Sequence, residues 1–121
     1  MFNALETALL AAKAADGKKA MELLVLDLRG LTSIADYFVI CSAGSTTQTG
    51  AIADGIGHAL GAEGIRPSHI EGEAEATWVL MDYGDVVVHI FEERTRAYYG
   101  LDRLWGDAPV VKLPVWQGAS S

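Results

Sequence analysis

Hydrophobic positions along the chain switch between two periods, and each switch marks an element. Phe2, Leu5, Leu9 and Ala12 recur every three or four residues, and Asn3 stands three positions before Glu6 in the spacing of a capping box. A first helix is predicted there. It should stop near Asp16-Gly17-Lys18-Lys19, because glycine is favoured just past a helix end and cations suit the negative pole. Residues 21–28 and 37–41 are short β-compatible apolar runs, separated by Arg29-Gly30 and the polar Thr32-Ser33, and read as two interior strands. Small and hydroxyl residues from 42 to 48 then give way to a helical stripe of Ala51, Ile52, Ile56, Ala59 and Leu60, ending at Gly61 or Gly64.

Residues 65–75 combine Arg66-Pro67 with an acidic, glycine-containing stretch, which is loop chemistry with a short edge strand at 68–71. The hairpin signal after it is the clearest in the chain: residues 77–81, the turn Asp82-Tyr83-Gly84-Asp85, then residues 86–91. A final helix is predicted from 92 to about 105, with acidic residues in its first turn and Ala97, Leu101, Leu104 and Trp105 on one stripe. Pro109 and Pro114 end regular structure, so residues 1–108 read as one domain and 109–121 as a tail, poorly ordered over its last residues. The alternation of helices and strands implies one α/β domain with a central mixed sheet and helices packed on it.

Composition supports one folded unit. The 121 residues suit a single core, and half of them are hydrophobic against 21% charged. Sixteen acidic against nine basic side chains leave a net charge of -7. Because nucleic acid is held mainly by Lys and Arg, direct sequence-specific binding of RNA or DNA is disfavoured, and the surface suits a basic partner. There is no N-terminal apolar segment with a basic flank, and no apolar run approaches the roughly 20 residues that span a bilayer. The lone Cys41 sits inside an apolar strand and reads as a buried small hydrophobe. These features predict a soluble, reduced, cytoplasmic protein.

Few residues are arranged for chemistry. The turn Ser42-Ala43-Gly44-Ser45-Thr46-Thr47 opens a helix and could cradle an anion, yet it has neither P-loop nor Gly-x-Gly-x-x-Gly spacing. A Gly-Ser turn also opens the nucleotidyltransferase signature, but no strand carrying an Asp-x-Asp pair follows. Ser45 or Thr46 capping the helix is the simpler reading. Asp82 and Asp85 flank a glycine and read as turn residues rather than an acid/base pair. His58, His69 and His89 have no metal-ligand spacing; Asp54 and His58 share one helix face without a third ligand, and no cofactor is implied. His89 alternates with Val88 and Ile90, so it faces the other side of its strand, either solvated or a polar spot on a recognition surface.

Trp78 carries the most information. Trp78 and Leu80 face one side of their strand while Val79 and Met81 face the other, so both faces of the sheet need a cover. The core helices supply one; a third helix, a second copy of the chain or a partner protein could supply the other. An aromatic with apolar neighbours and acidic residues around it has the composition of an interface hot spot.

Three stretches together resemble the ribosomal silencing factor family, also called the Iojap family: Ala35-Asp36-Tyr37-Phe38-Val39-Ile40-Cys41-Ser42, Ile70-Glu71-Gly72, and the unbroken block from Trp78 to Phe91. The resemblance continues through Tyr98-Tyr99-Gly100-Leu101 and Leu104-Trp105 and spans about residues 5 to 106. It implies a nucleotidyltransferase-like topology without the catalytic carboxylates, hence a protein that is not an enzyme. It further implies binding to protein fourteen of the large ribosomal subunit, a steric block to subunit joining, and lowered translation when nutrients are scarce. Carried over by position, the partner surface falls at Trp78, Leu80, Tyr83, Gly84 and Asp85, with Glu71 and Glu73 beside it. The rival readings are a nucleotidyltransferase-like enzyme using Gly44-Ser45 and a factor for large-subunit assembly. The surplus of hydrophobic residues also leaves room for a homodimer.

Overall fold

The computed structural model describes residues 2–116, and its elements begin where the chain changes period. Helix α1 (Ala4–Gly17) is followed by strands β1 (Met21–Asp27) and β2 (Tyr37–Ala43), helix α2 (Thr46–Ala62), and strands β3 (His69–Glu71), β4 (Trp78–Asp82) and β5 (Val86–Glu92). Helix α3 (Glu93–Tyr99) and a single helical turn, α4 (Leu101–Leu104), complete them.

The capping box at the start of α1 forms: the Asn3 side chain accepts from the Glu6 amide at 2.8 Å, and the Asn3 amide donates to the Glu6 carboxylate at 3.0 Å. Of the predicted stripe, only Ala12 belongs to the buried face of α1. Thr7, Ala8, Ala11, Ala12 and Ala15 face inward, while Phe2 and Leu5 stay exposed. Small side chains let α1 lie close against α2 and the sheet, and that close approach outweighs the larger residues on the neighbouring stripe.

The strands form one mixed sheet in the order β1-β2-β5-β4-β3. β2 and β5 pair in parallel at its centre, from Tyr37 opposite Val86 to Ala43 opposite Glu92, and all other pairs are antiparallel. A parallel pair needs a long crossover, here α2, β3 and β4. Covered on both faces, β2 is buried at every position, and fully buried residues such as Ile40 and Phe91 each contribute about 2 kcal/mol of transfer free energy. Helices α1 and α2 pack on the face bearing Val39, Cys41, Val79, Met81, Val88 and Ile90. The opposite face carries Leu26, Phe38, Ile40, Val87 and Phe91, edged by Trp78, Leu80, Leu101 and Trp105. Both sides are apolar, as the alternation in β4 requires.

The continuous last helix predicted over 92–105 is broken. Gly100, at φ 59°, adopts the left-handed conformation that ends α3 and starts α4 in a new direction. The stripe drawn across it therefore comes apart: Leu101 and Trp105 pack on the sheet, whereas Ala97 and Leu104 face solvent.

Beyond α4, the chain returns along the outer edge of β1. The Asp27 amide donates to the Pro109 carbonyl and the Val111 amide to the Val25 carbonyl, each at 2.8 Å, while Val111, Leu113 and Trp116 rest on the helix-side core. The expectation of poor order at the last residues concerns positions outside the described residues. Among the described residues no helix is long and apolar enough to cross a membrane.

Candidate functional site

The site is built outward from the first residue of β4. Trp78 stands opposite Phe91 on β5, half-buried, its ring 4.9 Å from that of Phe91 and 4.8 Å from that of Tyr99 on α3. Its indole N–H donates to Nδ1 of His89 at 3.1 Å. An indole nitrogen only donates, so this Nδ1 must be the unprotonated nitrogen of a neutral ring and the proton sits on Nε2. That Nε2 is buried and has no hydrogen-bond partner among the described residues. The solvated or recognition-surface position expected for His89 is overturned: it is 4% exposed, with its ring edge-on to Phe38 at 4.6 Å and parallel to Phe91 at 6.2 Å. Burial pushes its pKa down to about 4, so the ring is uncharged at neutral pH.

Alongside Trp78 lies a groove of about 720 Å³ between the β3–β4 loop and α3. Gly72, Ala74, Glu75 and Thr77 form the loop wall, and Arg94, Thr95, Tyr98 and Tyr99 the helix wall, with Tyr98 81% exposed. The loop can pass so close only because residue 72 is glycine: its φ is 84°, and a Cβ there would lie 2.0 Å from the Trp78 carbonyl oxygen. The helix wall is held by a buried guanidinium. Nη1 of Arg96 donates to the Glu22 carbonyl at 2.7 Å and to Oγ of Ser42 at 2.8 Å, with Asp102 3.6 Å from Nε. Glu22 offers its carbonyl because β1 bulges there, at a φ of 48°.

The residues singled out in the sequence separate into two groups. Trp78, Leu80 and Glu71 share a face and a neighbourhood, since Glu71 stands opposite Leu80, and exposed Glu73 follows in the loop. The Glu71 carboxylate already meets Nε2 of His69 at 2.7 Å. Tyr83, Gly84 and Asp85 lie at the far end of β4, about 17 Å from Trp78 at the usual strand rise. Tyr83 packs on the helix side of the sheet, and burial raises the pKa of its hydroxyl. Asp85 works through its backbone, its carbonyl accepting from the amides of Asp36 and Tyr37. The groove residues Glu75, Arg94, Thr95, Tyr98 and Tyr99 escaped the sequence reading as a site. The usable signal was Tyr98-Tyr99-Gly100, two aromatics before a helix-ending glycine.

The remaining candidates are structural. Ser45 caps α2 by accepting from the Gln48 amide at 3.1 Å, and the Gly44 amide donates to the Gln48 side chain at 2.9 Å, so this turn spends amides on itself. Asp82 accepts from the Gly84 amide at 2.8 Å and shapes the hairpin turn. Cys41 is fully buried, and burial pushes its thiol up to about 12. No cluster of three or more His, Cys, Asp or Glu side chains is placed to hold a metal ion among the described residues.

Fold and site together define a small α/β domain whose sheet is covered by two helices on one face and left partly open around an aromatic cluster on the other. The family described as "Ribosomal silencing factor during starvation" matches residues 2–120. Proteins named ribosomal silencing factor RsfS from Bacillus subtilis and Halalkalibacterium halodurans are 48% and 47% identical over 104 residues, covering 86% of this chain and 88% and 89% of their own lengths. A crystal structure of a Chromobacterium violaceum protein, 30% identical, superposes with a TM-score of 0.85 over 99% of this chain and all of that one. The chain belongs to the ribosomal silencing factor family.

Proposed function

We propose that this protein binds protein fourteen of the large ribosomal subunit through the face around Trp78, and that its bulk there prevents the small subunit from joining, lowering translation when nutrients are scarce. The observation that carries this reading is the aromatic groove: Trp78 on the sheet faces Tyr98 and Tyr99 of α3 across an opening that no helix among the described residues fully covers. Buried aromatics anchor interfaces, and the exposed Glu71, Glu73 and Glu75 speed encounter with a basic ribosomal protein. The net charge of -7 acts in the same direction over longer range. The site acts in the cytoplasm, by occupancy rather than by catalysis. The hairpin tip at Tyr83-Gly84-Asp85 lies too far from Trp78 to share one small contact, and its place in this reading is the rim of a larger footprint.

The experiment is a subunit-joining assay. Isolated large and small subunits are mixed with and without saturating protein and separated on a sucrose gradient. The joined peak should shrink as protein appears in the large-subunit peak. A protein that stays at the top of the gradient, or rides with the large subunit while joining proceeds normally, contradicts the reading.

A further inference from the structure

We infer that His89 is a positioning residue, whose Nδ1 fixes the indole of Trp78 in the one orientation that completes the groove; this rests on the docking role just proposed for Trp78. The geometry has three parts. First, the indole N–H donates to Nδ1 at 3.1 Å, while the Trp78 ring packs tilted against Phe91 (30°) and Tyr99 (48°), so one hydrogen bond selects among the rotations that ring packing alone leaves open. Second, the acceptor cannot move: the His89 ring is wedged edge-on against Phe38, parallel to Phe91, and flanked in register by Leu80 and Ile40. Third, His89 is a poor choice for the fold itself. Its Nε2–H is buried with no acceptor among the described residues, a loss that an apolar side chain of similar size would avoid. A side chain kept only for packing in this aromatic layer has no use for a ring nitrogen; one that must accept from an indole does. A rigid anchor binds more tightly than a mobile one because less freedom is lost on docking.

The inference separates stability from binding. His89→Phe and His89→Leu keep an apolar filling and remove the acceptor; His89→Asn places Oδ1 near the former Nδ1 position and keeps it, at the loss of ring packing. The test reads the Trp78 indole N–H by proton NMR, assigned by its disappearance in Trp78→Phe, together with melting temperature and affinity for purified large subunits. In the wild type this proton should exchange slowly. In His89→Phe and His89→Leu it should exchange freely and shift, melting should stay level or rise, and binding should weaken about fivefold, the value of one ordinary hydrogen bond. His89→Asn should keep the slow proton and bind more tightly than either apolar variant, although it melts lower. An indole proton that is unchanged in both apolar variants overturns the lock. Binding that falls only in proportion to melting temperature across the three variants reduces His89 to a packing residue and overturns it too. If wild-type protein does not bind large subunits, the docking reading fails, and the NMR arm still decides whether Trp78 is held.

Discussion

Gly72 and Gly84 allow the loop that shapes the groove to be tested against an internal control. Both have nearly the same left-handed backbone, φ 84° and 87°, but a Cβ on Gly84 would meet nothing within 4 Å, whereas one on Gly72 would lie 2.0 Å from the Trp78 carbonyl oxygen. Placing alanine in that conformation costs about 1–2 kcal/mol at either position. At Gly72 the backbone must additionally open by about 1 Å to reach the shortest contacts that real Cβ atoms make. Two backbones are involved, and neither is the free end of a side chain. The carbonyl faces the loop tied by the 2.8 Å bond from the Ala76 amide to the Gly72 carbonyl, so relief strains or breaks that bond, for a further ~1–2 kcal/mol. Gly84→Ala should thus lose about 1–2 kcal/mol and Gly72→Ala about 3 kcal/mol, measured by urea unfolding at neutral pH. Only Gly72→Ala should also change the near-ultraviolet circular dichroism of the tryptophans. Equal destabilisation of the two variants, with unchanged tryptophan signals in both, would refute the close approach as the reason for glycine at 72.

Other outcomes follow from buried polar groups. Because the folded state holds His89 at about 4, below its ordinary 6.5, burial carries no protonation penalty above pH 6.5, whereas as pH falls toward 4 the unfolded chain takes up a proton that the fold excludes and about 3 kcal/mol of stability is lost; stability should therefore vary less between pH 7 and 4 in His89→Phe. Arg96→Met removes donors to the Glu22 carbonyl and Ser42 hydroxyl and should cost about 3 kcal/mol by denaturant melts, against about 1 kcal/mol for Ser42→Ala; a loss under about 0.5 kcal/mol for Arg96→Met would show that the guanidinium does not tie α3 to the β1 bulge. Cys41, buried and with its thiol pushed to about 12, should resist Ellman's reagent in native protein at pH 8 and react promptly in denaturant.

How far the sequence reveals this molecule depends on which interactions decide each element. The β4–β5 hairpin is legible because period-two alternation and the Asp82-Tyr83-Gly84-Asp85 turn chemistry agree, and Asp82 does cap Gly84. The capping box of α1 is legible because it is local. The inward face of α1 is not, since hydrophobicity ranks Phe2 and Leu5 above the alanines and has no term for how closely a helix must approach its neighbours. The split at Gly100 is missed because the stripe continues in phase across it, although glycine there was the sign of a left-handed stop. Periodicity sends His89 to the correct face of β5 but cannot say that Phe38, Trp78 and Phe91 close over it. Arg96 is illegible for a similar reason: its partners lie 74 and 54 residues away. The site itself was half legible. Trp78 and Leu80 follow from alternation, while the groove wall of Tyr98 and Tyr99 exists only once α3 folds back beside the β3–β4 loop.

The central claim is that Trp78 anchors docking to the large ribosomal subunit, and its most direct test is the affinity of Trp78→Ala for purified large subunits beside that of the wild type. Folding of the variant is checked by circular dichroism. The account predicts a loss of about 30-fold or more, the scale of a buried aromatic anchor, with the fold retained. A folded Trp78→Ala that binds as tightly as the wild type would contradict it and move the interface elsewhere on the molecule.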